Sequence, residues 1–119
     1  MNPLVWFVVA HLIGDFLLQT EYEAMNKAQG RFLNGALLSH SAKYTLCFAP
    51  VCWVFQVPLF WLGAILGTHL VLDRRWPIIA WRRHVKRDSE EGIKQTFWLT
   101  VIIDQIFHLF VLVLISSLR

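Results

Sequence analysis

The apolar residues of this chain are gathered into four long stretches, each interrupted by ionisable side chains. The stretches run from about Pro3 to Thr20, Phe32 to Phe55, Pro58 to Trp76 and Thr96 to Leu118. Each is near the ~20 residues that carry a helix across a hydrocarbon core. Only Gln56 and Val57 separate the second stretch from Pro58, which demands a tight helical hairpin. Pro50 removes a backbone donor and is expected to kink the second helix near its exit. The first stretch has no basic n-region and no small-residue cleavage site, and His11 and Asp15 lie in its middle, so it reads as a retained helix.

Charged residues make up 16% of the 119 and hydrophobic ones 56%, against roughly 25% charged in an average soluble domain. Too few polar side chains are present to cover a soluble surface. The expectation is an all-α polytopic membrane protein: one transmembrane domain over residues 1–119, built as a four-transmembrane-helix antiparallel bundle. Cys47 and Cys52 lie on different sides of one helix and read as packing residues.

Basic residues set the orientation. The loop after the third stretch carries Arg74, Arg75, Arg82, Arg83, Lys86, Arg87 and Lys94, and the loop after the first carries Lys27 and Arg31. Four crossings put both loops on one side. They are therefore expected in the cytoplasm of a bacterial cell, with both termini outside the inner membrane. The tryptophans divide accordingly into an outer set, Trp6, Trp53 and Trp61, and an inner set, Trp76, Trp81 and Trp98. Between Trp76 and Lys94 the sequence reads as a basic interfacial segment, with Ile78, Trp81 and Val85 on one side. Such a segment would rest on anionic lipid headgroups or gather a phosphate-bearing substrate. Nucleic-acid binding is not expected, because the basic loop is short and offers only Trp76 and Trp81 for stacking.

Three stretches repeat one device. His11 and Asp15, His69 and Asp73, and Asp104 and His108 are each four residues apart, so each pair faces one direction on a helix. His40 adds an imidazole from the remaining stretch. Counting the helical rise from the cytoplasmic ends puts His11 at roughly 13 Å depth, Asp15 at roughly 7 Å and His40 at roughly 12 Å. The same count gives roughly 10 Å for His69, 5 Å for Asp73, 12 Å for Asp104 and 18 Å for His108. Ionisable groups this deep cost a few kcal/mol each unless paired, which marks them as functional or as hydrogen-bonded packing contacts.

Four imidazoles and three carboxylates in one layer are a ligand set for one or two divalent ions, Zn, Mn or Fe. His11, Asp15, His40, His69, Asp73, Asp104 and His108 form the candidate site. Asp15, Asp73 and Asp104 are its candidate catalytic carboxylates. Gln19, Lys27, Lys43, Arg74 and Arg75 are candidate outer contacts to ligands or substrate. Gly63 and Gly67 are expected to mark close helix packing. No serine nucleophile motif, phosphate-cradling glycine loop or dinucleotide fingerprint occurs.

The run His11-Leu-Ile-Gly-Asp15-Phe-Leu-Leu-Gln19-Thr20, followed by Asn26-Lys27, resembles the opening signature of a family of small bacterial and phage membrane proteins, domain of unknown function 3307. The His40 segment, Thr68-His69-Leu-Val-Leu-Asp73 and Asp104-Gln105-Ile-Phe-His108 fit the same pattern. The resemblance implies the fold and the polar positions but no activity. A looser similarity is to membrane-bound metal-dependent hydrolases. The leading expectation is such a hydrolase, acting on a phospholipid or lipid-linked phosphate. The rivals are a proton or metal-ion transporter or channel, and a non-catalytic, partner-binding membrane protein.

Overall fold

A computed structural model describes residues 2–118, which form helices and turns with no strand among them. α1 (Leu4–Leu12) continues into a π-helical turn, Ile13–Leu17. α2 (Glu21–Asn26) is short, α3 (Gly35–Val54) long, and α4 (Phe60–Asp73) intermediate. Two further short helices, α5 (Trp76–His84) and α6 (Glu90–Gln95), precede the long α7 (Phe97–Leu118).

Local chemistry explains the boundaries. Thr20 and Glu23 form a reciprocal capping box that starts α2. Asn34 caps α3 by accepting from Leu37 N at 2.8 Å. Ser89 does the same for α6, accepting from Gly92 N at 3.0 Å. Between α3 and α4 the chain reverses through Gln56 at φ 55°, with Val57 N donating to Cys52 O at 2.9 Å. α3 stays helical through Pro50.

α1, α3, α4 and α7 pack as neighbours in an antiparallel ring. The register is visible in cross-contacts: Asn2 meets Ser116, His11 meets Tyr44 and Gln105, and Asp15 meets His40. One end of the bundle is a dry core of Phe7, Ala10, Tyr44, Phe48, Cys52, Ile65, Leu112 and Ile115. The other end, toward α2 and α5, holds the buried ionisable groups.

The four apolar stretches thus become four helices, but shorter than expected. α7, with 22 residues, is the one described helix long and apolar enough to cross a membrane by length and composition. α4 has 14 residues, and α1 with its π turn is equally short. The cause lies at their ends: Thr20 and the left-handed Arg75 (φ 68°) begin caps and turns inside the expected segments. α3 has 20 residues, but Ser39, His40, Ser41, Lys43 and Thr45 dilute its apolar character. A four-span bundle therefore does not follow from helix length and hydropathy.

The segment 76–94 also differs from expectation. Ile78 and Arg82, four apart, share the inward face of α5 and are buried. Trp81 and Val85 share the outward face and are exposed. Arg82 is a clamp, not a surface charge: it donates to Asp88 Oδ2 (2.7 Å), Thr96 O (3.0 Å), Thr96 Oγ1 (2.7 Å) and Thr100 Oγ1 (3.1 Å). It fixes α5 against the start of α7.

Candidate metal centre

Seven side chains from four helices meet at the polar end of the bundle, and all are buried: His11, Asp15, His40, His69, Asp73, Asp104 and His108. Each four-residue pair sits on the inward face of its helix, as spacing requires. The antiparallel ring then brings the pairs to one level.

Asp73 is the hub. Its Oδ2 lies 3.0 Å from His40 Nε2, 3.0 Å from His69 Nε2 and 2.9 Å from Lys27 Nζ. Its Oδ1 lies 3.3 Å from His108 Nε2. His40 Nε2 also reaches Asp15 Oδ1 at 3.1 Å. Asp15, His40, His69 and Asp73 each offer one ligand atom within 4.8 Å of the others, and Asp73, Asp104 and His108 do the same. Asp73 belongs to both groups.

Apart from the His40 Nε2–Asp15 Oδ1 hydrogen bond, most of these approaches lack hydrogen-bond geometry. Both Asp73 oxygens, both His69 ring nitrogens, His108 Nε2, His40 Nδ1 and Asp104 Oδ1 are buried without a hydrogen-bond partner. Unpaired buried polar atoms are rare because each costs about 1–3 kcal/mol. The tautomer of His108 sharpens the point. Its Nδ1 lies 2.8 Å from the Asp104 carbonyl oxygen, which can only accept, so Nδ1 carries a hydrogen. In the neutral ring, Nε2 then points a lone pair toward the Asp73 carboxylate. Two acceptors face one another at that distance only if a cation or proton sits between them.

The spacings suit a metal. Ligands held at ~2.0–2.1 Å around a tetrahedral Zn stand roughly 3.3 Å from one another. The imidazole nitrogens about Asp73 lie 3.0–3.3 Å from its oxygens. The orphaned atoms are imidazole nitrogens and carboxylate oxygens, the donor set that Zn, Mn and Fe accept.

Two residues absent from the sequence-derived site complete it. The Tyr44 hydroxyl is 2.7 Å from His11 Nδ1, and Gln105 Oε1 is 2.6 Å from His11 Nε2. Gln105 Nε2 donates to Asp15 Oδ2 at 3.1 Å. With the amide in that orientation, Gln105 Oε1 accepts from His11 Nε2–H and the Tyr44 hydroxyl donates to Nδ1. His11 is thereby satisfied at both nitrogens and acts as a support for Asp15. The Tyr44 ring also stacks on His69, with centroids 3.9 Å apart. A cavity of about 10 Å³, room for a single water, opens beside His69 and His108.

The expected outer contacts divide. Lys27 enters the site at Asp73. Gln19 reaches only the Asp15 backbone carbonyl, at 3.4 Å. Lys43 turns away to Glu23 Oε1 (2.8 Å) and Leu18 O (3.0 Å). Arg74 caps a loop, donating to the carbonyls of Lys27, Gln29, Gly30 and Arg31 at 2.9–3.4 Å. Arg75 lies over the Phe97 ring, 5.0 Å from its centroid. Asn34 Nδ2 donates to three of the carbonyls that Arg74 binds, and together they fix the loop that delivers Lys27. Gly63 and Gly67 are not close-packing positions, since a Cβ at either would meet nothing within 4 Å. Gly14 is: a Cβ there would lie 2.8 Å from Tyr44 Cδ2.

Beside the site, Glu23 is buried but lies outside the four long helices. Burial alone would raise its pKa. Hydrogen bonds from Lys43, Ser39 and the Thr20 amide overcome this and hold it at about 2.

No curated protein and no solved structure matches the chain. The similarity to membrane-bound hydrolases therefore has no support from comparison. A family profile described as "protein of unknown function (DUF3307)" matches residues 4–119, which cover the His11, His40, His69 and Asp104 segments alike. The chain belongs to the DUF3307 family.

Proposed function

We propose that the chain is a multi-pass inner-membrane protein that holds one or two divalent ions between its helices and hydrolyses a lipid or lipid-linked phosphate. The carrying observation is the set of buried ligand atoms without a hydrogen bond on His69, His108, Asp73 and Asp104, of which Asp73 Oδ2 alone has a cation, Lys27, beside it. His40, His69, Asp73 and Asp15 would hold one ion, and Asp73, Asp104 and His108 a second. Bound there, such an ion would supply a water of lowered pKa and a Lewis acid. In the hydrolysis, a water oxygen adds to phosphorus, the ester oxygen leaves, and the proton lost by water ends on that leaving oxygen. Asp104 would carry the proton on the carboxylate oxygen that the ion leaves free. Lys27, ion-paired with Asp73, would be the cation that meets phosphate oxygens. Tyr44, His11 and Gln105 orient Asp15.

The outer faces support a membrane setting. Leu46 is 69% exposed, Val54 70%, Phe60 69%, and Ile106 and Phe110 59% each. They belong to three different helices, so the apolar exterior runs around the bundle. Water would not tolerate so continuous an apolar surface. α7, with 22 residues, is roughly 33 Å long by helical rise, close to the ~30 Å of a hydrocarbon core. α1 with its π turn and α4, 14 residues each and so roughly 21 Å by helical rise, would need local thinning or flanking turns to reach both interfaces. The lysine- and arginine-rich side would face the cytoplasm.

Elemental analysis of protein purified in mild detergent tests the reading. Near-stoichiometric Zn, Mn or Fe is expected, and it should vanish in His69→Ala. Phosphate release from a lipid phosphate should vanish with it. Protein free of metal, with His69→Ala unchanged in thermal stability, would overturn it.

One observation favours ion translocation instead: Lys27, Asp73, His40, Asp15 and His11 form an unbroken ionisable chain. The chain stops at the dry core, where Phe7, Phe48, Ile65 and Leu112 leave no polar group to continue it. Liposome flux without hydrolysis would favour this second reading.

A further inference from the structure

Lys27 puts an ammonium inside the ionisable layer. The residue is 6% exposed, and its Nζ stands 2.9 Å from Asp73 Oδ2. A lysine on a free loop would turn its head out to water. This one is braced on both sides. Upstream, Glu23 lies one helical turn before it and is buried as well. Glu23 accepts from Ser39 Oγ and from Lys43 Nζ, which ties α2 to α3. Downstream, Arg74 and Asn34 hold the carbonyls of residues 27, 29 and 31 from two directions. Arg74 directly follows Asp73, so the end of α4 holds both the counter-ion of the ammonium and the loop that carries it. The chain on either side of Lys27 thus serves to keep one cation buried.

We propose that Lys27 is a built-in cation that takes the place of a second metal ion and limits the site to one. This rests on the ion-binding reading and adds the ion count. Asp73 belongs to both ligand groups, so two ions would need one of its oxygens each. Oδ2 already faces the ammonium, which leaves Oδ1, with only the His108 imidazole beside it. Charge points the same way. As ligands, Asp15, Asp73 and Asp104 are ionised. These three carboxylates and the one ammonium, all buried, sum to two negative charges. One divalent ion cancels them. A second would leave two positive charges uncompensated among buried groups, which is strongly unfavourable. Without Lys27 that surplus is halved and the second Asp73 oxygen is open. Paired metal ions clamp the oxygens of a transferring phosphoryl group; here one ion and an ammonium would form the pair of cations.

The test loads the full chain in dodecyl maltoside with Mn(II) and removes the unbound ion. Bound Mn is counted by elemental analysis and examined by electron paramagnetic resonance, because ions about 3.5–4 Å apart in a two-metal site couple magnetically. Wild-type protein should hold about one Mn per chain, with the spectrum of an isolated ion, and Lys27→Met about two, with the spectrum of a coupled pair. Lys27→Arg keeps the charge and should restore the single, isolated ion. Arg74→Ala leaves Lys27 in the chain but frees its loop, and should admit the second ion at higher Mn concentration. That variant keeps the proposal testable if Lys27→Met does not fold. A coupled pair in wild-type protein would overturn the proposal and leave the ion-binding reading standing. So would a single ion in wild type, Lys27→Met and Arg74→Ala alike. No bound Mn in any of them would overturn both.

Discussion

Gln105 shows how much of the site rests on a residue that binds no ion. Its amide bridges His11 and Asp15, accepting from one and donating to the other. Removing such an outer partner commonly weakens metal binding by about 10–100-fold. Gln105→Leu is therefore expected to raise the dissociation constant for Zn or Mn by that range in a competition titration, with the fold intact by circular dichroism. Unchanged affinity would show that Asp15 is not held as a ligand. Glu23 poses a different residue-scale question. Its folded pKa of about 2 lies below the ordinary 4.5, so its ion pair with Lys43 and the hydrogen bond it accepts from Ser39 contribute stability above pH 4.5. That contribution is lost as pH falls from 4.5 toward 2. Melting temperature in detergent should fall across this window, and less steeply in Glu23→Gln. Equal slopes would remove Glu23 as a source. The i, i+4 pairs were legible because helix geometry alone makes them cofacial. Tyr44 was not, although it stands one turn after His40. Lys43 stands nearly as close to that face, and spacing cannot say that the long ammonium swings back to Glu23 while the aromatic ring stays inside.

At the scale of elements, the π turn at Ile13–Leu17 and Gly14 within it set how near α1 comes to α3. π turns are inserted in helices mostly at functional sites, and this one ends the helix that carries His11 and Asp15. A Cβ at Gly14 would press on the Tyr44 ring at 2.8 Å and on its Cα at 3.1 Å. The backbone atom cannot swing aside. Gly14→Ala should thus cost about 1–3 kcal/mol, as overpacking in a tight core does. It should also loosen the Tyr44–His11 bond. Thermal melts measure the first effect, and tyrosine-ring exchange by NMR the second. A neutral Gly14→Ala would mean that α1 can move away freely. The helices themselves were legible as apolar stretches, but their ends were not, because hydropathy is blind to capping. The Thr20-Glu21-Tyr22-Glu23 box is the sequence signal for α2, and Asn34 the signal for the start of α3. Arg82 was hidden for a related reason: in a run of basic residues, only helical phase with Ile78 distinguishes the inward one.

Taken whole, the molecule puts opposite demands on its two ends. The end at the α3–α4 turn and the chain termini is apolar inside and exposes Trp6 and Trp53; the other end carries the basic residues and exposes Trp76, Trp81 and Trp98. In a bilayer those indoles would lie at opposite interfaces, and the ionisable layer would lie below the basic side. Vesicle labelling tests this arrangement directly. With Cys47 and Cys52 replaced by alanine, Arg87→Cys reports the basic end and Ser117→Cys the other, both at exposed positions. A membrane-impermeant maleimide should modify Arg87→Cys only in inside-out vesicles and Ser117→Cys only in right-side-out ones. Reaction of both from one side would mean that the bundle lies on the membrane and does not cross it. The short α1 and α4 make that outcome a real competitor, since among the described helices only α7 is both long and apolar enough to cross a membrane. The exposed apolar side chains argue against it: a peripheral bundle would bury one flank in lipid and leave Leu46, Phe60 or Phe110 facing water.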